Sequence, residues 1–178
     1  MNVLIITSAK VNSNSENLLT AFTNILDNNE ESYKIFHTDL VNRACIGCKK
    51  CTACCINDDF TKEIINKPVR YDCIVFAGAV YFFDLNSDLR KALERLYCYT
   101  LKDVPIGLIL TSGSNFRYGG VDLIIEQFKR IDEYCGTRTV TPFNKVTYDL
   151  RTPINETDIK GLQKLYEDLR FEVTLNEA

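Results

Sequence analysis

Cys45, Cys48, Cys51 and Cys55 repeat the C-x2-C-x2-C-x3-C spacing of loops that wrap a four-iron, four-sulfur cluster. Thiolates hold the corners of such a cluster, and ligands this close in sequence let one short loop reach several of them. Two other chemistries compete for the same residues. Zinc sites pair two C-x2-C knuckles across a longer insert, which one continuous run fits poorly. Uncommitted thiols are the third reading. Cys54 sits beside Cys55 and leaves the fourth ligand open between them, and Ile56 stands where a ferredoxin-type loop has Pro. Arg43, Lys49 and Lys50 flank the run and are placed to offset cluster charge, although solvation is the ordinary fate of surface cations.

The chain has eight cysteines in all, and no charged leader precedes the apolar run Val3, Leu4, Ile5, Ile6. That pattern predicts a cytoplasmic protein, where a reducing environment favours metal or redox chemistry over disulfides. Cys73, Cys98 and Cys135 lie alone in apolar stretches and read as small buried hydrophobes. A formal charge of −3 gives no electrostatic case for nucleic acid or an anionic membrane surface. No apolar run approaches the roughly 18 residues of a membrane span. Hydrolytic chemistry lacks its parts, because the one histidine, His37, falls inside a predicted strand without a nucleophile beside it.

The elements that must position the cysteines alternate from end to end. Strands are predicted over 2–7, 33–40, 72–80, 104–110 and 138–147, the last being weak. Helical stripes lie between them: Leu18, Leu19, Phe22, Ile25 and Leu26; Leu85, Leu89, Ala92, Leu93 and Leu96; Val121, Ile124, Ile125, Phe128 and Ile131. Leu162, Leu165, Tyr166 and Leu169 mark a final helix, and Asp58-Asp59 opens a short one that ends before Pro68. This alternation implies an α/β domain: a five-stranded parallel sheet of order 2-1-3-4-5 with helices on both faces, a three-layer sandwich. Residues 1–178 form one such domain, with a cysteine-rich loop at 45–55.

In these sheets ligands bind beyond the carboxyl ends of the strands, where strand order reverses. Three loops therefore matter. Residues 7–15 run into a helix start and offer hydroxyls, amides and Lys10 for a phosphate. Residues 78–84 hold three adjacent aromatics, a stacking surface for a flat ring. Residues 111–120 are rich in small residues that let backbone approach a ligand.

On these loops the chain resembles the NAD(P)H-dependent FMN reductases of the flavodoxin-like fold, and more narrowly their iron–sulfur flavoproteins. Thr7-Ser8-Ala9-Lys10-Val11-Asn12-Ser13-Asn14-Ser15 stands where the family has G-S-P-R-x-x-G-N-T/S, and Gly78-Ala79-Val80-Tyr81-Phe82 is similar to its S-P-V-Y-F/W segment. The resemblance implies FMN held at its phosphate by Ser8, Lys10, Asn12, Ser13, Asn14 and Ser15. It implies a ring lying along Ala79, Val80, Tyr81, Phe82 and Phe83, closed on its other side by Ser112, Gly113, Tyr118 and Gly119. It further implies a [4Fe-4S] cluster on Cys45, Cys48, Cys51 and Cys55, NAD(P)H or a redox protein as electron donor, and a homodimer or homotetramer. Thr7, Ala9 and Ser13 replace the family's Gly, Pro and Gly, and Phe83 replaces a Gly whose absence would crowd the ring. An FMN-only quinone or flavin reductase, and a flavin-less metal-binding or interaction module, are the alternatives on the same fold.

Overall fold

The structure is a computed structural model that describes residues 1–49, 54–67, 69–96, 101, 103–115, 117–149 and 152–177. Val3, Leu4, Ile5 and Ile6 are wholly buried in strand β1 (Asn2–Thr7), as their uninterrupted apolar run requires. On one side β1 pairs in parallel with β2 (Ser32–His37), and on the other with β3 (Cys73–Tyr81). A two-residue strand, β4 (Asp84–Leu85), folds back antiparallel on the end of β3. Next to β3 lies β5 (Pro105–Ser112), and two short parallel segments, β6 (Arg138–Thr139) and β7 (Phe143–Val146), share its outer side. With β4 set aside, the order is the expected one.

The helices are α1 (Asn14–Asn28), α2 (Ser87–Leu96), α3 (Val121–Cys135) and α4 (Glu156–Glu177). Alternation along the strands assigns the two faces. Val3, Ile5, Val75, Ala77 and Ile109 pack with Leu18, Phe22, Leu162 and Leu169 of α1 and α4. Leu4, Ile6, Ile74, Phe76, Leu108 and Leu110 pack with Leu89, Leu93, Ile124 and Phe128 of α2 and α3. Crossovers to opposite faces thus leave β1 and β3, which opens the gap between their carboxyl ends. Among the described residues no helix is long and apolar enough to cross a membrane.

Three expected boundaries shift. The strand predicted over 33–40 ends at His37, which is exposed, and continues as a 3-10 turn, Thr38–Leu40. The short helix opened at Asp58 becomes a π turn, Thr61–Ile65. The weak strand over 138–147 splits at Pro142, which has no N–H to donate to a ladder.

Candidate functional site

A cleft of about 310 Å³ opens between the carboxyl ends of β1 and β3, the size of a small-ligand site. Its β1 side is polar, with Ser8, Lys10, Ser13, Asn14 and Ser15, and its β3 side is apolar, with Ala79, Val80 and the stem of Tyr81. Thr111, Ser112 and Gly113 at the end of β5 form a third wall, and Thr147, Tyr148 and Asp149 a fourth. Each of these walls leaves the carboxyl edge of a strand.

The first loop is held by hydrogen bonds that leave the helix start exposed to the cleft. Ser13 caps α1 by accepting from Glu16 N at 3.2 Å, and its own N–H donates to Lys10 O. Ser15 Oγ lies 2.8 Å from Thr111 Oγ1, tying α1 to β5 across the cleft floor. Asn86 donates to Ser8 Oγ, and Ser8 N donates to Ala77 O. Asn14 spends both amide atoms on the fourth wall: Nδ2 donates to Asp149 O at 2.8 Å, and Oδ1 accepts from Thr152 N at 2.7 Å. The uncapped first-turn N–H groups of α1 therefore lie at a site that Lys10 lines, an arrangement suited to phosphate. Thr7 serves in place of a loop glycine: its hydroxyl donates to Ala77 O and accepts from Ala9 N.

The fourth wall escaped the sequence reading. It follows the broken outer strand and is fixed from behind by Lys145, which is buried, pairs with Asp158 and donates to Pro153 O at 2.8 Å. Thr147 N donates to Ser112 O at 2.8 Å, joining the third and fourth walls. The signal available was positional, since every carboxyl-edge loop of a parallel sheet is a candidate wall.

Five of the fifteen predicted cofactor residues lie outside the cleft lining: Asn12, Phe82, Phe83, Tyr118 and Gly119. Asn12, left-handed at φ 61°, donates its N–H to the Glu16 carboxylate. Gly119 N donates to Asn115 O at 2.6 Å and Tyr118 N to Asn115 Oδ1 at 3.0 Å, closing a turn whose Tyr118 ring is exposed. Phe82 and Phe83 are the two central residues of the β3–β4 hairpin, at φ 50° and 70°, the left-handed pair that a two-residue turn of the primed type requires. Phe82 is 95% exposed. Phe83 lies outside the cleft lining, and its backbone packs against Gly120 at the head of α3. A Cβ on Gly120 would fall 2.8 Å from Phe83 Cβ, and its φ of 80° is left-handed.

Cys45, Cys48, Cys54 and Cys55 lie in the loop after β2, which leaves the same sheet edge. Its base is a buried ion pair: Arg95 Nη1 and Nη2 donate to the two oxygens of Asp58 at 2.5 and 2.7 Å. Asp58 also accepts from Asn42 N at 3.1 Å and Thr61 N at 3.0 Å, so one carboxylate joins both ends of the loop. Burial disfavours the Asp58 charge, but Arg95 and the two backbone N–H groups outweigh it and hold the carboxyl far below the usual carboxylate range. Arg95 also stacks 5.1 Å over the Phe60 ring.

Adjacent cysteines have separate environments. Cys54 faces this base, with its sulfur 3.5 Å from Thr61 Oγ1 and 3.8 Å from Arg95 Nη2. Burial pushes its thiol up, yet hydrogen bonds from Thr61 and Ile56 and the Arg95 charge bring it below its ordinary value. Cys55 is exposed and donates to Cys48 Sγ at 2.7 Å, and that hydrogen bond is the main cause of its raised pKa. Of the expected cluster ligands, Cys51 lies outside the described residues. Among the described residues no group of three or more His, Cys, Asp or Glu is arranged to hold a metal ion.

Residues 1–140 match the family model described as NADPH-dependent FMN reductase. No curated protein matches the sequence. Among solved structures the chain is similar to an oxidoreductase from Corynebacterium diphtheriae, at 16% identity and TM-score 0.68, with 98% of this chain and 97% of that one covered. It is similar to an NAD(P)H:quinone oxidoreductase from Methanothermobacter marburgensis, at 15% identity, TM-score 0.61 and coverage of 99% and 97%. It is also similar to the oxidised flavodoxin 1 of Bacillus cereus, at 13% identity, TM-score 0.63 and coverage of 96% and 98%. These structures share the flavodoxin-like fold.

Proposed function

The chain belongs to the NADPH-dependent FMN reductase family, and we propose that the cleft between β1 and β3 holds FMN in an oxidoreductase fed by a reduced nicotinamide. The observation that carries this is the polarity gradient across one cleft, from a helix start ringed by Ser8, Ser13 and Ser15 to the apolar Ala79, Val80 and Tyr81. That gradient matches a ligand with a phosphate at one end and a flat ring at the other. FMN supplies a ring that accepts the two electrons of a hydride and can release them singly.

The chain's own residues bind and orient. Lys10 and the first turn of α1 neutralise phosphate charge, and the Ser15–Thr111 and Asn14–Asp149 bonds fix the distance between the walls. Ala79, Val80 and Gly113 shape the slot for the ring. Tyr81, 67% exposed, stands at the rim where a nicotinamide and then an acceptor would approach. A quinone or free flavin is the acceptor class this open rim suits. The FMN-only form is the reading we favour, since Cys54 is turned to Thr61 and Arg95 and the family match is to a flavin reductase. A cytoplasmic location and a homodimer or homotetramer complete the proposal.

The test is titration of purified protein with FMN, followed by anaerobic addition of NADPH or NADH. One FMN per chain, bleached by nicotinamide, is the expected result. Protein that ignores FMN would leave the flavin-less binding module. Stoichiometric iron with acid-labile sulfide, after purification without air, would restore the cluster.

A further inference from the structure

We propose, resting on the FMN reading of this cleft, that Asn86 and Gly78 are positioning residues that seat the Ser8 hydroxyl so that its proton is left for the phosphate. Neither residue lines the cleft. Asn86 is buried and stands just before α2. Its Oδ1 accepts from Leu89 N at 3.0 Å and its carbonyl accepts from Arg90 N at 3.0 Å, which makes it the N-cap of that helix. The cap settles which way the amide points. With Oδ1 turned to Leu89, the amide atom turned to Ser8 is Nδ2, which can only donate.

Ser8 Oγ therefore accepts, and the hydroxyl keeps its proton for another partner. The neighbouring carbonyl, Ala77 O, already accepts from Ser8 N and from Thr7 Oγ1. Among the described residues no protein acceptor takes the Ser8 proton, and the side chain lines the cleft together with Lys10. Ser15 differs, because it shares a bond with Thr111 Oγ1 in which either hydroxyl can donate.

Gly78 supplies the room. A Cβ there would fall 2.3 Å from Ser8 Oγ, 2.7 Å from Leu89 Cδ1 and 3.2 Å from Asn86 Nδ2. The Ser8 hydroxyl thus fills the space that a side chain at 78 would take. A helix cap on one side and a missing methyl on the other hold it in place. A hydroxyl already engaged as an acceptor meets a phosphate oxygen as a donor without turning over. Hydrogen bonds to a charged acceptor are the stronger kind, so the orientation of this one hydroxyl bears on affinity.

The experiment is FMN titration of the full chain carrying Ser8→Ala, Asn86→Ser or both. Serine caps a helix as well as asparagine does but is too short to reach Ser8, so Asn86→Ser should melt as wild type does. Ser8→Ala should weaken FMN about 10-fold, the loss of one hydrogen bond to a charged group. Asn86→Ser should weaken it about 5-fold. The double variant should bind no worse than Ser8→Ala alone, because Asn86 acts through Ser8. Gly78→Ala should weaken FMN in the wild-type background and change nothing further in Ser8→Ala, where no Oγ is left to displace. The absorption spectrum of bound FMN should match wild type throughout, since the ring's walls are untouched. Asn86→Ser that binds FMN normally, or losses that multiply in the double variant, would overturn the proposal. Wild-type protein that binds no FMN would instead remove the site reading beneath it, so the two failures are told apart.

Discussion

The cleft and the cysteine loop leave the same edge of the same sheet and are secured in opposite ways. Around the cleft, neutral hydrogen bonds lace three walls together, Ser15 to Thr111, Asn14 to residues 149 and 152, Thr147 to Ser112, with the Lys145–Asp158 pair behind the last of them. No one of them bears the fold, and together they hold a helix start open toward a ligand. The cysteine loop depends on one buried carboxylate and one buried guanidinium, Asp58 and Arg95. Distributed bonding preorganises a pocket, whereas a single buried charge pair fixes the two ends of a loop.

The difference is sharpest when the clamp is cut. Asp58→Ala leaves Arg95 charged, buried and unpaired, and should cost about 3–5 kcal/mol, since breaking a buried pair strands the surviving charge. A urea denaturation midpoint checks this. The pH dependence follows from the same group. Its folded pKa lies below its unfolded one, so its stabilisation is present in full above about pH 4 and is lost progressively as pH falls from there toward the folded pKa. Melting temperatures between pH 7 and 3 should fall more steeply for wild type than for Asp58→Asn, which cannot titrate there. Equal slopes would place the acid sensitivity elsewhere.

Gly120→Ala acts beside the cleft, where the cost is steric. The new Cβ meets the Phe83 backbone, and alanine must adopt φ 80°. A loss of about 1–3 kcal/mol is expected from a left-handed non-glycine residue. Native-state hydrogen exchange should localise it to the hairpin and the first turn of α3. Wild-type stability would mean that the Phe83–Gly120 contact yields without cost.

Asn14→Ala tests the lacing itself. It removes two bonds to the fourth wall and leaves the fold its other ties, so melting should shift little. FMN affinity should fall about 10-fold, the effect of roughly 1.4 kcal/mol in wall positioning. A variant that melts early but binds FMN normally would reverse the contrast between the regions.

How much of this was legible in the sequence depends on whether the cause is local. The run Val3 to Ile6, the Ser13 cap and the helical stripes carry their own signals, and they fix the sheet order and three walls of the cleft. Asp58 was half legible: its place at a helix start is a capping pattern, and it does accept from Thr61 N. Its partner lies 37 residues away, and no periodicity marks a buried arginine among the apolar positions of α2. The fourth wall was obscured because Pro142 breaks the strand that leads to it. Phe82 and Phe83 misled for a different reason. Composition read them as a stacking surface, while hairpin geometry turns them outward, at left-handed angles that aromatic residues rarely occupy.

Phe82→Asn is the smallest expected effect and tests that last point. Two terms oppose each other. Phe82 meets the Phe83 ring edge-on at 5.8 Å, a contact that Asn would lose. Against that, Asn tolerates left-handed backbone far better than Phe and is favoured at this position of a primed hairpin turn. At 95% exposure the ring buries almost nothing, so its contact with Phe83 is screened by water while the backbone strain is not. The second term should win by about 0.5 kcal/mol, read as a rise of a degree or two in melting temperature. FMN affinity should not change, because Phe82 is absent from the cleft lining. If the variant instead raises KM for a quinone while FMN binding holds, the strained turn serves to present Phe82 to the acceptor, and the hairpin belongs with the cleft in function as well as in position.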